Sequence, residues 1–251
     1  MNPADYDAWY NTPRGRWIGD TEYALATRLL APQAGDSLLD VGCGTGWFTR
    51  RAAADGLLVT GLDPNPDWLD YARAHSNPEL KWVEGDARAL PFSDAHFDHV
   101  LSIAALCFID DERQAVAECV RVARRRFAIG WLNRNSLLYR QKGKDGGNGA
   151  YRGARWHTAR EVRALFVGLP VRNLTLHSAI YLPSGTRWAQ TLEQSLPSTL
   201  PWGGLLLAIG EKVAARTAGG RTAGTPARRG VPRRRNLTRR PSLPRFDNGL
   251  E

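Results

Sequence analysis

Three glycines at alternate positions, Gly42, Gly44 and Gly46, follow the apolar run Leu38-Leu39-Asp40-Val41. Glycine removes Cβ where a ligand must approach the backbone, and it allows φ values that other residues avoid. A helix opening directly afterwards, at Trp47, would present unpaired N–H groups to the same point. A second acid, Asp63, closes the next apolar run 21 residues after Gly42. In a βαβ nucleotide fold an acid at that distance holds a ribose diol. A third acid lies in Gly85-Asp86-Ala87. Residues of these types in this order suit the binding of a nucleoside-bearing cofactor.

Spacing separates two such cofactors. A dinucleotide fingerprint, G-x-G-x-x-G, wants glycine or alanine at position 47, and Trp47 would crowd a pyrophosphate there. The pattern is instead D-x-G-x-G-x-G. Asp40 would repel a pyrophosphate but attract the ammonium group of a methionine moiety. The residues thus point to S-adenosylmethionine (SAM). Over roughly residues 4–212 the chain resembles class I SAM-dependent methyltransferases, in particular the group that includes ubiquinone- and menaquinone-biosynthesis methyltransferases.

That resemblance assigns roles. Asp40, Gly42, Cys43 and Gly44 would hold the methionine end, Asp63 with Pro64 the ribose, and Asp86 with Ala87 the adenine, with Ile103 or Ala104 beside the cofactor at the end of the fourth strand. The opening Tyr6-Asp7-Ala8-Trp9-Tyr10 is of a type that folds over the cofactor, so Tyr6, Tyr10 and Arg14 would close over the methionine portion. The implied fold is α/β: a doubly wound, seven-stranded, mostly parallel, Rossmann-like sheet with one antiparallel strand at Gly204 to Gly210. The implied product is S-adenosylhomocysteine. Several relatives carry a histidine after the fourth strand, where Ala105-Leu106-Cys107-Phe108 stands here. Residues 131–157 match no substrate motif.

The elements that must position these residues follow from periodicity. Apolar runs predict strands at Ser37–Val41, Leu57–Leu62, Lys81–Glu84, Phe97–Ile103, Phe127–Leu132, Asn173–Leu182 and Gly204–Gly210. Helices are expected at Thr21–Leu30, Trp47–Ala54, from Asn65-Pro66 to His75, from Asp110 or Asp111 to Ala123, from Thr158 to Val167, and at Thr186–Leu196. Thr158 and Glu161 have capping-box spacing. Strands alternating with helices imply parallel βαβ units. Residues 1–18 read as an irregular aromatic lid segment. The glycine-rich 133–157 reads as a flexible loop insertion, with a hinge at 143–149. Residues 5–17 and 131–157 would form a two-sided lid over the reacting methyl group. Arg124-Arg125-Arg126 reads as a solvated helix end.

Charge is uneven. The net charge is +9, yet residues 216–251 hold ten arginines and two acids, which leaves residues 1–215 nearly neutral. This divides the chain into a methyltransferase domain, 1–215, and an Arg-rich tail, 216–251, whose composition predicts disorder. The neutral domain, and the lack of an Asn/Asp-Pro-Pro-aromatic motif, disfavour a nucleic-acid methyltransferase anchored by that tail. That reading and a non-catalytic SAM-binding protein are the alternatives to a small-molecule methyltransferase. Polyanion binding would involve the tail alone. Three cysteines without metal-ligand spacing read as reduced thiols, and no apolar run spans a bilayer, so the expected location is cytoplasmic with no metal. No catalytic base is assigned. His157, Tyr139 and Cys107 are the candidates on the acceptor side, with Cys107 read first as a buried structural thiol and His157 first as structural.

Overall fold

A computed structural model describes residues 2–213; the 216–251 tail and the boundary at 215 lie outside the described residues. The chain opens with two helices, α1 (Pro3–Asn11) and α2 (Pro13–Leu30). Each starts on a cap followed by proline: the Asn2 side chain accepts from Asp5 N–H, and the Thr12 side chain from Gly15 N–H. These caps correct the expectation of an irregular segment at 1–18 and extend the helix expected at Thr21 back to Pro13.

The alternating part follows: β1 (Ser37–Val41), α3 (Trp47–Ala54), β2 (Leu58–Asp63), α4 (Pro66–Ala74), β3 (Lys81–Glu84), β4 (Phe97–Ile103), α5 (Glu112–Val122) and β5 (Ala123–Leu132). After these come α6 (Leu137–Lys142), α7 (Ala159–Leu165), β6 (Val171–Ala179), α8 (Arg187–Ser195) and β7 (Leu205–Lys212). The strands form one sheet in the order β3-β2-β1-β4-β5-β7-β6. Only β7 runs against its neighbours, antiparallel to β5 and β6. This is the seven-stranded sheet with one reversed strand that was expected. The order reverses between β1 and β4, and the crevice at such a switch point is where open α/β sheets bind ligands.

Strand residues alternate between two cores, one on each face. Leu39, Val100, Phe127, Ile129 and Leu206 pack with α5 and α7. Leu38, Leu101, Ala128, Leu205 and Leu207 pack with α2 and α3. The Thr158–Glu161 capping box is present, and backbone and side-chain donors of Thr158 hold Glu161 down at about 2.

Three further expectations change. Arg124, Arg125 and Arg126 lie in β5 rather than at a helix end, and they pair with Asp98, Asp36 and Glu211. β6 begins at Val171, with an irregularity in its pairing where Asn173 takes φ +54°. Residues 133–157 are not a plain loop. Ser136 caps α6, Leu138 and Trp156 are buried, and Tyr139 packs on Trp156 with ring centroids 5.3 Å apart. Nor are the glycines of 143–149 equivalent as a hinge. A Cβ on Gly143 would strike the Tyr139 ring at 2.2 Å, whereas Gly146 and Gly149 have nothing within 4 Å. Among the described residues no helix is long and apolar enough to cross a membrane.

Candidate active site

The carboxyl ends of β3, β2, β1 and β4 lie side by side, so the topology brings Asp86, Asp63, Asp40 and Ile103 to one edge. Gly42, Gly44, Asp63 and residues 103–105 keep partial exposure among buried neighbours, which marks the open side. Gly42 has φ +73°, and a Cβ there would come within 2.2 Å of Ala105 Cβ, so the turn after β1 and the loop after β4 touch at the switch point. No residue but glycine fits.

Asp63 braces the turn. Its carboxylate accepts Gly44 N–H at 2.9 Å and Asn65 N–H at 3.0 Å, and burial raises it against those bonds. Asp40 is nearly sealed, accepts the Thr49 hydroxyl at 2.6 Å, and is pushed by burial up to about 7, with Asp63 adding to the rise. Cys43 is buried and its sulfur fills the gap beside Gly61, so it contributes backbone rather than thiol chemistry. Pro64 is exposed at the turn and Ala87 is buried. Asp86 is clamped by the Arg88 guanidinium, with Nη2 at 2.6 Å, and is held below the usual carboxylate range.

The two N-terminal helices cover this edge. Tyr6 packs on Trp68 of α4, which itself covers Gly44, and Tyr10 stacks on Trp47 with centroids 4.5 Å apart. Trp47 therefore occupies the place where a dinucleotide would need glycine, and it anchors α1. Arg50 ties the parts together: it donates to Thr45 O at 2.6 Å and to Asp7 of α1 at 2.7 Å. Arg14 does not reach the glycine turn. Its Nε donates to Pro183 O at 2.6 Å and it packs against Gly185, on the side of Tyr151.

The three acceptor-side candidates are occupied otherwise. Cys107 is fully buried, accepts Leu132 N–H, and is pushed by burial to about 12, which makes it a structural thiol. His157 Nε2 lies 2.7 Å from the Glu112 carboxylate, and its backbone pairs with Leu132 and Arg134. The Tyr139 ring covers Gly143. Sequence reasoning missed Trp68, Arg50 and Arg88. It also missed Glu22, a carboxyl that burial, aided by Glu193, pushes up to about 8.

The residues fit the cofactor that the motifs imply. Two desolvated carboxylates beside an open glycine turn are the wrong donors for a phosphate. They suit a ligand that brings an ammonium and a sulfonium charge. The chain's residues 39–126 match a family model described as a methyltransferase domain. An uncharacterized protein of Mycobacterium tuberculosis is 36% identical over 192 residues, covering 72% of this chain and 62% of its own length. The chain thus spans less than two thirds of that relative. A malonyl-[acyl-carrier protein] O-methyltransferase of Erwinia billingiae is 38% identical over 115 residues, 45% of this chain and 44% of that protein. Among solved structures, a SAM-dependent methyltransferase of Thermotoga maritima, described as a possible histamine N-methyltransferase, superposes with TM-score 0.66 at 22% identity, covering 84% of this chain and 96% of that one. Sheet order and glycine turn agree with that family model: residues 39–126 form a methyltransferase domain, set in a sheet of the class I Rossmann-like methyltransferase fold.

Proposed function

We propose that the protein transfers the methyl group of SAM to a small-molecule acceptor held beneath α1 and the 133–157 segment. The observation that carries this reading is the pair of desolvated carboxylates, Asp40 and Asp63, flanking a glycine turn at the sheet's switch point. When bound, SAM supplies a methyl group already activated on a sulfonium. The chain's own part is to bind, align and exclude water. Asp40 faces the methionine ammonium, Asp63 the ribose hydroxyls, and Asp86 with Ala87 the adenine. Ile103 and the half-open turn after β4 line the reacting end. Tyr6 and Tyr10 form one wall of the lid, and Tyr151 with Trp156 the other.

Calorimetry tests the cofactor. SAM and S-adenosylhomocysteine should bind and raise the melting temperature by mass action. Asp63→Ala should lose most of that gain, since hydrogen bonds to a charged acceptor contribute about 1.5–3 kcal/mol each. Binding of NADH in place of SAM would refute the reading. The names of the relatives span oxygen and nitrogen acceptors. The acceptor must therefore be sought in this chain's own pocket.

A further inference from the structure

The amino edge of the sheet, opposite the glycine turn, carries a basic groove of about 610 Å³. Five cations line it: Arg124, Arg125 and Arg126 from the start of β5, Arg172 from the start of β6 and Lys212 from the end of β7. Glu211 is the one acid in the lining. Strand register brings these groups together. Glu211 is the partner of both Arg126 and Arg172, so a single carboxylate stands between two guanidinium groups, at 3.4 and 2.9 Å. Like charges gathered on neighbouring strands repel.

Asp98 and Asp36, beside the groove, take up part of the charge: Arg124 lies 3.0 Å from the first and Arg125 3.1 Å from the second. Three carboxylates thus serve five cations, and donors are left over. Among the described residues, Arg172 spends only Nε on a hydrogen bond, and Arg125 only Nη1. Arg126 makes two bonds, both longer than usual at 3.3 and 3.4 Å. Lys212 donates to Arg121 O and meets no carboxylate. His99 is the buried polar member of the lining. Its Nε2 faces Asp36 at 3.1 Å, and its Nδ1 is buried without a partner. An imidazole held in this way can take a proton at Nδ1 and donate it to an anion.

The spare donors stand on three strands, so they suit an anion with oxygens on several sides. Linked phosphates have these, and guanidinium forks match phosphate oxygens in pairs. The guanidinium groups of Arg125 and Arg172 are more than half exposed, so their carboxylate pairs are weak and a ligand can displace them. The interleaved acids break up the positive surface, which leaves a long polyanion no continuous track. We propose that this groove binds a small anion with linked phosphates, at a site separate from the cofactor edge. Arg125, Arg172 and Lys212 hold the ligand, and Glu211 opposes it.

Calorimetric titration of the full chain at low salt, with pyrophosphate and with inorganic phosphate, tests this. Pyrophosphate should bind one to one, and tighter than phosphate. Arg172→Gln and Lys212→Gln should each weaken it roughly ten-fold, as loss of a charged hydrogen bond does. Glu211→Gln removes the opposing carboxylate and should strengthen binding several-fold. Methyl diphosphate separates two sources of the same chemistry. An ester bound at least as tightly as pyrophosphate assigns the site to an organic diphosphate, a weaker one to the free ion, and either supports the site. Hydrogen exchange on the native protein decides if a variant fails to fold: pyrophosphate should slow exchange at 123–126, 171–173 and 210–213. The proposal is overturned by absent or unsaturable pyrophosphate binding, or by phosphate binding as tightly. It is overturned equally by binding that survives both Arg172→Gln and Lys212→Gln, or that Glu211→Gln weakens. Protection confined to residues after 215 would move the binding to the arginines there and overturn it too.

Discussion

Asp40 is a carboxyl placed where charge is resisted, and this has a measurable sign. Its folded value of about 7 lies above the ordinary 3.8. The folded state therefore holds the proton more tightly than the unfolded one. The stability it contributes is complete below about pH 4 and is lost as pH rises towards 7. Asp40→Asn should remove that slope, so denaturant unfolding should show the variant gaining on the native protein between pH 5 and 8. Glu22, also raised, adds a slope of its own in both proteins. SAM affinity should climb over pH 6 to 8 as Asp40 ionises beside the ligand's ammonium, while adenosine, which lacks that group, should bind with little change. Equal slopes for the two ligands would remove Asp40 from the methionine end. Cys107 should resist iodoacetamide in the native protein and react only on unfolding. The glycine turn and the acids beside it were legible because their spacing is local, from Asp40 to Gly46 and on to Asp63. Glu22 was not. With a helix start at Thr21 it is a first-turn acid, favoured by the helix dipole. Only the true start, Pro13, sets it among the buried residues.

At the scale of elements, Arg50 is the polar tie between α1 and the glycine turn, beside the aromatic contacts of Tyr6 and Tyr10. Arg50 grips Thr45 O with one nitrogen and Asp7 with another, both partly buried. Asp7→Asn should loosen α1 by roughly 1 kcal/mol, the upper range for a partly exposed pair. Hydrogen exchange over residues 3–11 should then quicken and S-adenosylhomocysteine affinity should fall several-fold. Unchanged exchange would mean that the aromatic contacts alone hold the helix. Limited proteolysis should cut near Gly146, which has open space around it, and S-adenosylhomocysteine should slow the cut. The central strands β1, β4, β5 and β7 read well from apolar runs because their burial is two-sided. The N-terminal helices read badly, since the aromatic residues of α1 meet partners such as Trp47 and Trp68 that are distant in sequence. The glycines of 143–149 suggested a loop, while the packing of Tyr139 and Trp156 against Gly143 could not be seen from composition.

For the molecule as a whole, charge and fold part company. The ten arginines after residue 215 follow β7 in the sequence, the last strand among the described residues. A chain ending at Val213 should keep its melting temperature and its S-adenosylhomocysteine affinity. If the full chain is retained on heparin at low salt, the shortened one should not be, because phosphate-like contacts of this kind are strongly salt-dependent. Lost cofactor binding in the shortened chain would assign the basic segment to the fold. The family model stops at residue 126, within β5, so it covers the cofactor half of the sheet. What lies outside it is α1, α2 and everything after β5.

The placement of β7 bears on how the chain comes off the ribosome. Among the described residues it is the last strand made, yet it sits between β5 and β6, and β6 has no other neighbour there. Until residues 205–212 emerge, β5 presents an unpaired edge and β6 has nothing to join. Synthesis is slow beside the local collapse of β1 to β4, so a half-sheet with an open hydrophobic border must persist for seconds. Such borders recruit other strands. Nascent chains arrested before Leu205 should therefore be chaperone clients and aggregate when released, whereas those arrested with β7 fully exposed should already resist protease.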